Sequence, residues 1–144
     1  MMFEQIISKE ANDFYPLDVT QIARAEARMG VKFPKELRDF YEQVGYGFIS
    51  DGTPDCGINR LIAPLGCADI RLRESYYEGD PDLEMYERYE KDSIIFFEFL
   101  EGVYGSIGIK DGKIYYTSQL IADTLTEFLE KMSADAQYWT KLRK

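Results

Sequence analysis

Histidine is absent from all 144 residues. That omission removes Ser-His-Asp and Cys-His nucleophilic catalysis, imidazole metal ligation and histidine proton shuttles. Cysteine occurs only at Cys56 and Cys67, with no Cys-x-x-Cys. Two thiols cannot complete a tetrahedral metal site, and without histidine a thiolate needs Lys, Arg or a helix N-terminus to lower its pKa. They read as reduced, buried or incidental thiols of a cytoplasmic protein. No run approaches the roughly 18 consecutive apolar residues of a membrane helix. The opening MMFEQIISKEANDF has neither a basic region nor a long apolar core, so no signal peptide is expected. Cations are scarce, 17 Lys+Arg against 26 Asp+Glu for a net charge of −9. Binding of nucleic acid rests on cations that neutralise phosphate. This balance therefore argues against a direct nucleic-acid or anionic-membrane ligand and favours a basic protein partner.

What the chain does have is apolar and aromatic mass: 45% hydrophobic residues, with 11 Tyr and 9 Phe. That excludes disorder as the dominant state and suits one domain spanning residues 1–144. The most ordered stretch of pattern runs from Leu17 to Gly52. Asp18 or Thr20 can cap a helix, with Gln21 at capping-box spacing from Asp18. Ile22, Ala25 and Met29 share one face. Gly30 can adopt the left-handed conformation that stops that helix, and Pro34 suits the first turn of the next. Leu37, Phe40, Tyr41 and Val44 then form a second apolar stripe, closed by Gly45. The stretch is a helical hairpin with two faces to bury.

Met29-Gly30, Phe33-Pro34, an aromatic-rich helix and then Gly45-Tyr46-Gly47 together resemble the signature of the SUKH superfamily. That superfamily includes fungal cell-wall-assembly regulators and many bacterial immunity proteins. Met29 and Phe33 stand where leucine is usual, and Val44 where asparagine is common. The resemblance implies an α+β fold and a role in binding other proteins.

Elsewhere the pattern is plainer. Phe3, Ile6 and Ile7 suggest a short N-terminal helix, and Asn12 to Pro16 a turn, with Phe14, Tyr15 and Leu17 pinning the lead-in onto the hairpin. Ser50 to Gly57 is a surface loop. Ile58 to Ala63 reads as a strand stopped by Pro64 and Gly66, and Ala68 to Tyr77 as a helix. Ser93 to Leu100 is apolar almost throughout, as befits a central covered strand. Val103 to Ile109 and Lys113 to Thr117 are strands joined through Asp111-Gly112. Asp123 is expected to cap a C-terminal helix carrying Leu125, Phe128, Leu129 and Met132, and Tyr138, Trp139 and Leu142 mark a last turn. Helices, then a mainly antiparallel sheet, then a helix packed on it make an α+β domain.

Chemistry is hard to find in this pattern. Gly102, Gly105 and Gly108 lie between and within strands, where hairpin geometry or a bulge accounts for them better than a phosphate cradle. No pair of carboxylates stands apart from the rest as a hydrolytic pair. The loop acids Asp51, Asp55, Asp80 and Asp82 lack the spacing of a calcium loop. No catalytic residue, metal ligand or cofactor is expected, and the chain reads as a non-enzyme.

The most acidic segment, Glu74 to Asp92, interleaves carboxylates with Tyr76, Tyr77, Tyr86 and Tyr89. Asp80-Pro81 is expected to open a short helix there. Two readings stay open: a solvated face whose tyrosines pack inward, or a surface that receives a basic protein through carboxylates and tyrosine anchors. On the second reading the contact residues are Asp51, Asp55, Glu78, Asp80, Asp82, Glu84, Tyr86, Glu87 and Glu90. Combined with the resemblance, the expected function is that of a cytoplasmic immunity protein. It would occlude the basic surface of a cognate toxin domain, a nuclease in particular. The alternative is a non-catalytic intracellular regulatory or scaffold module.

Overall fold

The computed structural model describes residues 3–54, 56–99 and 102–142. Seven strands form one sheet in chain order, every neighbouring pair antiparallel. They are β1 (Asp13–Tyr15), β2 (Tyr46–Ile49), β3 (Asn59–Leu61), β4 (Ser93–Phe99), β5 (Val103–Gly108), β6 (Ile114–Tyr116) and β7 (Gln119–Ala122). The helices are α1 (Glu4–Ile7), α2 (Thr20–Met29), α3 (Lys35–Gln43), α4 (Pro64–Leu72), α5 (Leu125–Ala134) and α6 (Tyr138–Lys141). The α+β class and the antiparallel sheet agree with the sequence reading. The segregated order does not: α2 and α3 are inserted between β1 and β2, and α4 with two 3-10 turns between β3 and β4.

The hairpin forms as its pattern demands. Asp18 accepts from the backbone N–H and hydroxyl of Thr20 at the start of α2, which ends on Gly30 at φ 74°. Glu26 then straps the two helices together, accepting from the Phe33 N–H at 2.8 Å and pairing with Arg38 at 3.4 Å. Ile22, Ala25, Leu37, Phe40 and Tyr41 are buried. The segment around 12–16 is a strand and not a turn, because β1 lies directly along β2. Gly45 and Gly47 make that possible. A Cβ on Gly45 would stand 1.9 Å from the Tyr15 carbonyl oxygen, and one on Gly47 2.2 Å from that of Asp13. No side chain fits between backbones so close, so the Gly-Tyr-Gly element is the seat on which β1 crosses.

Two more boundaries differ from the sequence reading. Pro64 begins α4 at its first turn, where a missing N–H costs nothing, and the helix ends at Arg73 in the left-handed region. At the other end Thr124, not Asp123, caps α5 by accepting the Glu127 N–H. Glu36 of α3 reaches the same helix end, accepting from the Leu125 N–H at 2.6 Å and the Thr126 hydroxyl at 2.7 Å. A carboxylate there satisfies orphan donors and favours the helix dipole.

One face of the sheet is closed by α5 and α6. Phe97 and Phe99 meet Phe128 edge-on, and Trp139 lies over Phe99 at 4.5 Å. β4 ends at Phe99, and Leu100 lies outside the described residues. A register shift between Ile95 and Phe97 makes Phe96 the extra residue of a bulge. The opposite, outer face is covered only in part. Among the described residues no helix is long and apolar enough to cross a membrane.

Candidate protein-binding surface

The acidic segment folds as two 3-10 turns, Ser75–Tyr77 and Pro81–Tyr89. Asp80 accepts the Asp82 N–H at 2.9 Å, and Pro81 supplies a pre-set φ for the first turn. The reason for a 3-10 rather than an α-helix is legible in the spacing. Leu83, Tyr86 and Tyr89 recur every three residues, so at three residues per turn they stack on one side. Leu83 and Tyr86 are buried there, while Asp82, Glu84, Met85 and Glu87 turn outward.

The nine candidate residues do not share one role. Glu78, Asp82, Glu84 and Glu87 are exposed and Asp80 is half-buried. Among the described residues no ion pair engages any of these five. They form a ridge of carboxylates with no Lys or Arg between residues 78 and 87; of the cations that follow, Arg88 lies over the Tyr89 ring at 4.9 Å and Lys91 is exposed. Tyr86 is 3% exposed, packs edge-on against Tyr104 at 5.4 Å and accepts the Tyr104 N–H at 3.1 Å. Glu90 is 8% exposed and held by Arg73 at 2.5 Å. The structure therefore corrects the placement of both: they anchor the ridge and are not part of its exposed surface. Burial holds the Glu90 carboxyl above its ordinary pKa although Arg73 opposes the shift.

Asp51 also turns out to be tied down. It accepts from the Thr53 hydroxyl and N–H and from the Ala136 N–H at 2.8 Å, which lowers its pKa to about 2. It fastens the 50–54 loop to the chain between α5 and α6. Asp55 lies outside the described residues.

Beside the ridge is an open cleft of about 470 Å³ lined by Arg71, Arg73, Asp80, Glu84, Glu87 and Glu90, among others. Its guanidinium groups are already engaged, Arg71 with the Glu90 and Ser93 carbonyls and Arg73 with Glu90. The groups left open are the carboxylates of Asp80, Glu84 and Glu87 together with the exposed Lys91 ammonium, so the open lining is mainly but not wholly acidic. Both cysteines are free and buried, and burial pushes the Cys67 thiol up to about 12, far from a reactive thiolate. Gly102 sits in the β4–β5 turn, while Gly105 and Gly108 pair with β4 residues; none opens a helix. Among the described residues no group of three or more His, Cys, Asp or Glu is placed to hold a metal ion.

One set of exposed groups has no counterpart in the sequence reading. Tyr15 and Phe48, 41% and 39% exposed, stand on the outer face of the sheet with Tyr46. Tyr15 does not pin the lead-in as its neighbours Phe14 and Leu17 do. The signal for this was the alternation Tyr46-Gly47-Phe48-Ile49, a strand pattern hidden inside a glycine-rich element.

Two comparisons bear on this surface. The family described as the SMI1 / KNR4 family (SUKH-1) matches residues 16–131. The chain is also 40% identical over 145 residues to the protein called immunity protein YxxD of Bacillus subtilis (strain 168), covering 99% of this chain and 97% of that one. No solved structure matches it.

Proposed function

This chain belongs to the SMI1 / KNR4 family (SUKH-1), and from that premise we propose that it is an immunity protein. Acting as one domain over residues 1–144, it binds a cognate toxin domain and neutralises it by covering a basic working surface. Two findings support this reading: the relative of nearly equal length that is named as an immunity protein, and the ridge of five unpaired carboxylates. The ridge is the observation that carries the mechanism. The buried Glu90 is paired with Arg73, whereas among the described residues Glu78, Asp80, Asp82, Glu84 and Glu87 enter no ion pair and leave their charge to an outside cation. A nuclease must present cationic surface to its own substrate, and a carboxylate ridge meets that surface as the phosphate backbone does. A nuclease is thus the toxin class we favour. Neutralisation here is by binding and not by catalysis, and we place it in the cytoplasm, where free thiols such as Cys56 and Cys67 persist.

Opposed fields raise association from about 10⁵–10⁶ M⁻¹s⁻¹ towards about 10⁸–10⁹ M⁻¹s⁻¹ at low salt. The test is co-expression with the C-terminal domain of the protein encoded immediately upstream. The expected result is restored growth and a complex that survives physiological salt; absence of both refutes the immunity reading. Asp82→Lys, Glu84→Lys and Glu87→Lys together should then slow association and flatten its salt dependence. Glu90 is left out of that set because it is buried. An unchanged association rate would move the contact surface off the ridge.

A further inference from the structure

The outer face of the sheet carries a row of aromatic side chains that the fold covers only in part, Tyr15 and Phe48 exposed and Tyr46 half-buried. Cross-strand pairing sets Tyr15 opposite Tyr46, Phe48 opposite Arg60 and Arg60 opposite Glu98, so all of them point the same way. Four strands at about 4.8 Å spacing make this row about 15 Å long. At its inner end Tyr104 is sealed by Tyr86, and Arg60 donates to the Tyr77 hydroxyl. At its outer end the exposed Tyr15 ring stands 5.8 Å from the half-buried Tyr46 ring. Tyr76, 90% exposed, stacks edge-on against Tyr77 and prolongs the row.

We propose that this aromatic row is the anchoring half of the toxin-binding interface, with Tyr15, Tyr46 and Phe48 receiving arginine or lysine side chains of the basic partner. The inference rests on the immunity reading and adds where the tight contact lies. Charge complementarity selects this occupant. The one cation on the row, Arg60, is paired with Glu98 at 3.7 Å, and beside Phe48 the Asp13 carboxylate accepts the Tyr15 hydroxyl at 2.5 Å and has no cationic partner among the described residues. Aromatic faces rimmed by carboxylate suit guanidinium and ammonium groups, through the ring quadrupole and charge-assisted hydrogen bonds. The same negative rim, on a chain of net charge −9, repels a second copy of this protein. The row reaches the ridge through Arg60, which follows Phe48 across the sheet and donates to the hydroxyl of Tyr77, the residue before Glu78. One partner can therefore lie across both.

The two halves act on different rate constants. Exposed acids set the encounter, whereas buried aromatic anchors set the lifetime of the complex. The experiment measures association and dissociation of the upstream-encoded C-terminal domain, made inactive by substitution, with wild type, Tyr15→Ala, Phe48→Ala, Phe48→Tyr and the triple ridge reversal. Thermal unfolding confirms that each variant is folded. The expected result is dissociation faster by about tenfold or more for Tyr15→Ala and Phe48→Ala, with association within about twofold of wild type. Phe48→Tyr restores slow dissociation, and the ridge reversal shows the opposite split. A wild-type complex whose lifetime is the same in both alanine variants overturns this inference and leaves the immunity reading standing. No complex with wild type overturns the immunity reading, and the inference with it.

Discussion

Replacing Arg73 by alanine withdraws the clamp that holds the acidic ridge to α4. Arg73 donates to the Ile70 carbonyl at 2.5 Å, to the Leu83 carbonyl at 3.1 Å and to both oxygens of Glu90 at 2.5 and 3.3 Å. Its removal takes the guanidinium from the Leu83 carbonyl and leaves a buried carboxylate without this counter-charge, while the Ile70 carbonyl keeps the backbone N–H of residue 73 at 3.1 Å. Breaking one side of a buried pair costs about 3–5 kcal/mol. The Arg73 side chain is 28% exposed, so water recovers part of that, and the lower end, about 3 kcal/mol, is the expected loss. For a chain of this length that is a fall in Tm of about 6–12 °C. Glu90→Gln removes the charge but keeps the shape and should cost only about 1 kcal/mol. Placed on Arg73→Ala, it should recover at least about 1.5 kcal/mol, the coupling read from the double-mutant cycle. The pH dependence has a definite sign. Because burial raises the Glu90 pKa, the folded state keeps a proton that the unfolded state has lost, and stability from this group falls as pH rises through that interval. Without Arg73 the pKa climbs further, so the deficit is largest near about pH 7–8 and narrows towards about pH 5. Denaturant unfolding of the four proteins across that range is the assay. A loss below about 1 kcal/mol, or no recovery in the double variant, refutes the claim that Glu90 is a buried charge held by Arg73.

Gly45→Ala should prevent folding or cost more than about 3 kcal/mol, because its Cβ would sit 1.9 Å from the Tyr15 carbonyl oxygen; soluble yield and circular dichroism read this out. Glu36→Ala removes the carboxylate that ties α3 to the start of α5 and should cost about 1–2 kcal/mol in urea unfolding, with Glu36→Gln recovering part. Asp51, whose pKa is lowered from 3.8 to about 2, contributes stability that is present above the unfolded value and lost as pH falls through the folded one. Asp51→Asn should therefore be less stable than wild type at neutral pH, on the order of 1–2 kcal/mol allowing for solvent screening, and the gap should close towards about pH 2 in an acid unfolding titration.

How much of this was legible depends on whether the signal is local. Helix stops, starts and apolar stripes are local, and Gly30, Leu37, Phe40 and Tyr41 ended where their spacing put them. The Asp111-Gly112 turn and the long apolar β4 are local too. Short edge strands are not. β1 is three residues long and holds its place only by pairing with β2, so nothing within 13–15 distinguishes it from a turn. β7 escaped notice for the same reason. Pro64 stops a strand and starts a helix equally well, and only the chain that follows decides between them.

The candidate surface divides along the same line. Net charge, the missing histidine and the crowding of acids between 74 and 92 are properties of the sequence, and they already pointed to a binding protein with a basic partner. Which carboxylates face outward is a property of the tertiary structure. Glu87 and Glu90 are three residues apart, yet one is exposed and the other buried, because Arg73 arrives from α4 to compensate Glu90 alone. Tyr86 and Tyr15 exchange their expected places by the same logic, one sealed by Tyr104 and the other left open on an edge strand. Composition determines this chain's own net charge of −9, since charge adds up regardless of fold. Which side chains stay open depends on which find partners inside the molecule, and for Glu90 and Tyr86 those partners lie 17 and 18 residues away, brought close by the fold.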